Sequence, residues 1–194
     1  FLPISAGSLS VDGKPVAAPS PERGVVFQHH TLFPWKTALK NVEFGLKMRG
    51  ASRAERRGAA RDMLRTVGLG EFQQHYPWQL SGGMQQRVSL ARVLVNRPRV
   101  TLMDEPFCAL DAQTRLQMQE LLLTLWQDYH VTIVFVTHDV DEAIFLSDRV
   151  VVLTERPGRI KAELSVPLPR PRTRDLLTGP EFMALKRQAL ELLF

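Results

Sequence analysis

The sequence predicts an α/β fold, a mostly parallel sheet with helices on it and a small helical segment inserted between two of its strands. Three observations predict it. Val100-Thr101-Leu102-Met103 is an apolar run too short for a helix between Pro98 and Pro106, the pattern of a buried parallel strand. Val131 to Val136 (VTIVFV) is the most β-branched run of the chain and reads as a central strand. Residues 29–80 carry helical patterns between the short strand Gly24-Val25-Val26-Phe27 and the stretch that opens at Leu80.

Taken in order, Gly7 to Val16 alternates small polar and apolar residues around Asp12-Gly13, a strong hairpin signal, and Pro15, Pro19 and Pro21 then make a loop. Gln28 follows the strand that ends at Phe27. Thr31-Leu32-Phe33-Pro34-Trp35 is a loop with large apolar side chains, which suit either a satellite core or a contact surface. From Thr37 the spacing of Leu39, Val42, Phe44 and Leu46 predicts a short helix up to Gly50. Ser52 caps a second helix, rich in Arg and Ala, that ends at Val67-Gly68. Ser81 caps the next, with Val88, Leu90, Ala91, Val93, Leu94 and Val95 as its apolar positions and Asn96 and Pro98 as its stop. Asp111 caps a long helix with Met118, Leu121, Leu122, Leu125 and Trp126 on one face. After the 131–136 strand come Thr137-His138-Asp139 and a helix opened by Asp141-Glu142-Ala143, acidic where the macrodipole favours it. Strands are predicted at Arg149 to Leu153 and Gly158 to Val166, then a Pro/Arg-rich tail and a helix from Pro180.

The chain of 194 residues is 44% hydrophobic and 23% charged, ordinary for a globular protein with a sizeable core. No apolar run approaches the roughly 18 residues of a membrane-spanning helix. One cysteine, Cys108, excludes an internal disulfide. The net charge of +5 is dispersed apart from clusters at Arg53 to Arg61 and Arg170 to Arg174, read as solvated faces. The start, Phe1-Leu2-Pro3-Ile4-Ser5, has neither an initiator Met nor the features of a signal peptide, and the expectation is a chain that begins within a longer one.

The chemistry gathers between Leu80 and Asp111, LSGGMQQRVSLARVLVNRPRVTLMDEPFCALD. Gly82 and Gly83 at the mouth of a helix let backbone N–H groups approach an anion. Asp104-Glu105 ends a strand, where open α/β sheets place ligands. Singly these signals are weak: Ser-Gly-Gly also marks turns, and a Gln or His after a strand is commonly structural. In this order and spacing they resemble the nucleotide-binding subunit of an ATP-binding cassette (ABC) transporter, with its LSGG signature, Walker B strand ending in Asp-Glu, and D-loop Ala109-Leu110-Asp111. The resemblance covers essentially the whole chain. Pro21 to Gln28, Leu32 to Trp35, Arg156 to Ile160, Leu168 to Arg172 and Pro180 to Phe182 resemble the ATPase subunits of nitrate/sulfonate/taurine importers, and Glu22 to Gln28 with Trp78 to Arg87 most resemble the taurine branch.

The resemblance implies a P-loop NTPase-like sheet with a helical subdomain. Residues 1–28 would be the remainder of the N-terminal ATPase core, 29–80 the helical subdomain, 81–166 the signature, Walker B, D-loop and switch-histidine core, and 167–194 the tail. It implies ATP and Mg²⁺, with Asp104 and Gln28 toward the metal and Glu105, His138 and Gln28 toward the attacking water. Ser81, Gly82, Gly83, Gln85 and Asp111 would meet ATP held by a second copy in a homodimer. The implied partners are a transmembrane permease subunit and, indirectly, a periplasmic substrate-binding protein, on the cytoplasmic face of the inner membrane; no nucleic acid is expected. The transported solute would be taurine, an alkanesulfonate or nitrate.

The chain lacks the Gly-x-x-x-x-Gly-Lys-Ser/Thr phosphate cradle: Gly13-Lys14 has Ser8 and Pro15 where Gly and Ser or Thr are needed. The expectation is a sequence truncated before that Walker A motif, a polypeptide that alone neither binds ATP tightly nor hydrolyses it, and a sheet left with apolar surface and unpaired backbone. Two other readings stay open. One is a non-catalytic remnant that docks on the membrane partner through Gln28 to Leu80. The other is a nucleic-acid-linked ABC ATPase, against which the chain shows no coiled coil and no aromatic-basic interleaving.

Overall fold

The computed structural model describes residues 4–193. Residues 1–3, the start of the expected N-terminal core segment, and Phe194, the end of the expected tail, lie outside the described residues. The chain opens with a hairpin, β1 (Ser10–Val11) and β2 (Lys14–Pro15), whose turn places Asp12 and Gly13 at φ 50° and 74°, as the Asp-Gly signal requires. β3 (Arg23–Val26) pairs in parallel with β4 (Val100–Asp104), and β4 in parallel with β5 (Thr132–Val136). β6 (Arg149–Leu153) and β7 (Ile160–Ser165) form a separate antiparallel pair.

The helices start where the sequence caps them. Thr37 caps α1 (Ala38–Met48), and Ser52 with Glu55 closes a full capping box on α2 (Arg53–Thr66). Ser81 caps α3 (Gly82–Leu94), and Asp111 caps α4 (Ala112–Tyr129). α5 (Val140–Leu146) begins one residue before the predicted acidic pair because Asp139, not Asp141, accepts the capping N–H from Glu142. α6 (Pro180–Leu193) closes the described chain. Three short helical segments, Gly70–Phe72, Pro77–Gln79 and Arg174–Thr178, were not anticipated from sequence.

Three apolar clusters hold these elements. The first joins α1, α2 and α3 through Leu39, Val42, Leu64, Val88 and Leu94, so the helical insert shares its core with α3. The second packs Met103, Phe107, Met118 and Leu122 between the sheet and its helices. The third joins α5, α6 and β7 through Ile144, Phe145, Leu164 and Phe182.

The structure corrects two expectations. The 131–136 run is not a central strand among the described residues: β4 is central, and β5 lies at the edge of a three-stranded sheet. Its side chains alternate as those of β4 do, Ile133 and Phe135 toward the helices and Val134 and Val136 about half exposed, because helices cover only one face of the sheet among the described residues. With Leu102, which pairs with Val134, they form the exposed apolar sheet face that was expected. The Arg170 to Arg174 cluster is a solvated face only in part: Arg174 is exposed, but Arg172 between its neighbours is not. Arg172 has no exposed side-chain surface and donates to the carbonyls of Ile144, Phe145, Ser147, Val166 and Leu168, acceptors left over where α5 ends and the tail turns.

Candidate functional site

Parallel pairing brings the carboxyl ends of β3, β4 and β5 to one edge of the sheet. Gln28 follows β3, Asp104 ends β4, Glu105 comes next, and His138 follows β5. The register that sets Asp104 opposite Val136 also lets Glu105 N–H donate to the Val136 carbonyl at 2.9 Å. Glu105 takes a left-handed backbone conformation, φ 41°, which is uncommon for a residue with a Cβ. Its carboxylate Oε1 lies 3.1 Å from His138 Nδ1. Glu105 is half-buried and His138 is open to solvent, so the pair stands at the sheet edge with water access.

Gln28 reaches the same edge from the other side. Its Nε2 donates to Cys108 Sγ at 3.3 Å, and Cys108 N–H in turn approaches the Glu105 carbonyl at 3.3 Å. Cys108 is thus the link between Gln28 and the Glu105 turn. Asp104 is exposed at the end of β4. No three His, Cys, Asp or Glu side chains gather as a metal cage among the described residues. A single exposed carboxylate suits Mg²⁺, which keeps most of its waters and is bound together with phosphates.

Ser81, Gly82, Gly83 and Gln85 form a second group, at the N-terminus of α3. Ser81 Oγ accepts from Met84 N–H, and Gln85 Nε2 donates to the Leu80 carbonyl at 3.1 Å. Gly82 and Gly83 have no acceptor within the helix for their N–H groups, the usual state of a first turn. A Cβ on Gly82 would meet nothing within 4 Å, so this turn is open to an approaching anion. A Cβ on Gly83 would come within 2.7 Å of Thr114 Cγ2, so the glycine lets α3 start against α4. Asp111 accepts Thr114 N–H at 3.0 Å, which sets the D-loop sequence next to that start. Among the described residues, no hydrogen bond joins Ser81, Gly82 or Gly83 to Glu105 or His138.

Sequence reasoning missed Arg115. It donates to the Leu110 carbonyl at 3.0 Å and reaches Asp139 at 3.5 Å, tying the segment before α4 to the cap of α5 just after His138. The signal available was its position one turn beyond the Asp111 cap.

Residues 2–108 match the family model described as ABC transporter. An uncharacterized ABC transporter ATP-binding protein of Methanocaldococcus jannaschii is 54% identical over 187 residues, 96% of this chain and 69% of that protein. The taurine import ATP-binding protein TauB of Yersinia pestis is 47% identical over 199 residues, covering 100% of this chain and 78% of the relative. The nitrate import ATP-binding protein NrtD of Synechocystis sp. is 48% identical over 195 residues, 97% and 73% of the two chains. Among solved structures, a dimeric post-hydrolysis ATP-binding cassette bound to ADP and Pi superposes with a TM-score of 0.63 at 38% identity. That match covers 75% of this chain and 64% of the solved one, so the chain spans less than two thirds of it.

Proposed function

This chain belongs to the ABC transporter family, and we propose that it is the part of an importer's ATP-binding subunit that activates water and senses the second nucleotide site. The observation that carries the proposal is the Glu105–His138 contact of 3.1 Å at the carboxyl edge of a parallel sheet, beside Gln28. Glu105 would take the proton of the attacking water, and His138 would hold that carboxylate and the γ-phosphate oxygen in register. Such a general base is worth about 10² to 10⁴ in rate. Asp104 and Gln28 would hold Mg²⁺, which supplies neutralising charge to the phosphates. Gly82 and Gly83 N–H groups, with Ser81, Gln85 and Asp111 around them, would meet the γ-phosphate of ATP on a second copy, which makes a homodimer the working form.

No residue of this sequence is assigned the α/β-phosphate cradle, because the motif for it is not among residues 1–194. We assign residues 1–28 to the ATPase core, 29–80 to the helical subdomain, 81–166 to the signature and catalytic core, and 167–194 to the tail. No described helix is long and apolar enough to cross a membrane, which suits a peripheral place on the cytoplasmic face of the inner membrane beneath a permease. Exposed Trp35 and Trp78 flank the N-terminus of α1, where Ala38 N–H bonds the His75 carbonyl, and offer an aromatic surface for that permease. The names of the relatives point to taurine or nitrate as the solute, delivered by a periplasmic binding protein; an alkanesulfonate fits the same class of small anions.

The test is ATP hydrolysis by the full-length subunit assembled with its membrane partner, comparing wild type with Glu105→Gln. Loss of about 10²-fold or more with ATP still bound is expected. Undiminished hydrolysis in Glu105→Gln overturns the assignment. A wild type that assembles with the permease but never hydrolyses ATP supports the second reading, a docking module.

A further inference from the structure

The segment just beyond Gln28 is gripped by one stripe of α3. Gln86, Ser89 and Arg92 are spaced three apart, and all reach His30 or Thr31. His30 Nδ1 lies 2.7 Å from Gln86 Oε1, and since an amide oxygen only accepts, the imidazole donates there. Ser89 Oγ donates to the His30 carbonyl at 2.8 Å. Arg92 donates to the Thr31 carbonyl at 2.7 Å and to Thr31 Oγ1 at 2.9 Å. Gln86 and Ser89 are buried, and the Arg92 guanidinium also lies 5.8 Å over the Phe33 ring.

What the stripe holds is strained. Thr31 has φ 46°, and a β-branched residue in the left-handed region is an outlier that persists only where its surroundings over-determine it. Two hydrogen bonds from one guanidinium fork are such a determinant. Three residues upstream, Gln28 meets Cys108. At the other end of the same helix, one turn before Gln86, stand Gly82 and Gly83.

We infer that Gln86, Ser89 and Arg92 are a positioning clamp: they hold Thr31 in its left-handed conformation and thereby fix Gln28 against Cys108 beside Glu105, so that the orientation of α3 sets the placement of Gln28. Arg92 is a positioning residue acting through Thr31. When the fork lets go, Thr31 relaxes toward ordinary backbone and Gln28 leaves the sheet edge. The link to hydrolysis rests on the function proposed above; the link between Arg92 and the place of Gln28 does not.

Cys108 is the one cysteine among residues 1–194, so once any cysteine outside them is replaced by serine the placement of Gln28 is directly measurable. In the full protein carrying Gln28→Cys, a short bifunctional thiol reagent is expected to cross-link positions 28 and 108 rapidly. Adding Arg92→Lys, which keeps the charge and removes the fork, should slow that cross-link about ten-fold or more, the size of a charge-assisted hydrogen bond. Adding Thr31→Asn to that pair should restore the rate in part, because Asn enters the left-handed region more readily than Thr. Ser89→Ala, a milder change that leaves the fork, should slow it less. An unchanged rate in Arg92→Lys, or no gain from Thr31→Asn, overturns the clamp. In hydrolysis with Cys and Gln28 as in the wild type, Arg92→Lys should lower kcat with KM for ATP unchanged. If Glu105→Gln has no effect on hydrolysis while the cross-linking behaves as stated, the proposed function fails and the clamp stands.

Discussion

Asp111 holds the start of α4 by accepting Thr114 N–H at 3.0 Å, and this bond, with the Thr114 side chain, holds its carboxyl below the ordinary value of 3.8. A carboxylate whose folded-state pKa is depressed stabilises the fold above the unfolded value, and that contribution is lost as pH falls through the folded value. Acid denaturation of Asp111→Asn should therefore show a shallower loss of stability below about pH 4, because Asn caps without titrating. An unchanged acid profile would show that Asp111 does not carry this dependence. Arg172 makes the opposite kind of contribution. Burial, then repulsion by Arg170, pushes its pKa down to about 10, so it is charged at neutral pH and spends that charge on five carbonyls. Arg172→Met should cost about 3 to 5 kcal/mol, since the acceptors it leaves are buried. Arg172→Lys should recover part of it, because an ammonium has the charge but not the fork. Urea denaturation of the two variants checks this, and equal stability of both with wild type would refute it.

Among the elements, β3 and α3 show how closely the sheet and its helices approach. A Cβ on Gly24 would come within 2.3 Å of Val93 Cγ1, a contact that requires one of the two to move. Gly24→Ala should cost about 1 to 3 kcal/mol as an overpacking strain, and Val93→Ala in the same chain should relieve part of it. A double variant no more stable than Gly24→Ala alone would mean that the strain lies elsewhere. Elements fixed by local chemistry were legible in the sequence: the caps at Thr37, Ser52, Ser81 and Asp111 act on N–H groups three residues away. Elements fixed from a distance were not. The turns at Gly70–Phe72 and Pro77–Gln79 follow from where α1 begins, because Ala38 and Leu39 N–H donate to the carbonyls of His75 and Gln73. Arg172 was misread for the same reason, since three of its acceptors lie on residues 144 to 147. At the candidate site, the motif order gave Gln28, Asp104, Glu105 and His138. Their meeting depends on strand register, and the clamp residues Gln86, Ser89 and Arg92 carry no local signal beyond their spacing on a helix.

On the scale of the molecule, β5 divides two environments along a single strand. Phe135 faces inward, 5.7 Å from the Phe107 ring, and packs with the cluster that holds Met103 and Met118. Val134 faces outward at 50% exposure, beside Leu102 at 42%. Expecting the whole 131–136 run to be buried would make every one of these side chains equally costly to change. The structure divides them instead. Phe135→Ala should cost about 3 kcal/mol or more, from lost transfer and the cavity left against Phe107. Val134→Thr, one residue away, should stay within about 0.5 kcal/mol, as an exposed substitution does. Denaturation midpoints of the two variants in the same background measure the contrast. A loss at Val134 comparable to that at Phe135 would show that the outer face is covered in the folded protein. The row from Leu102 to Val134 would then be a buried layer of the core, not an open surface.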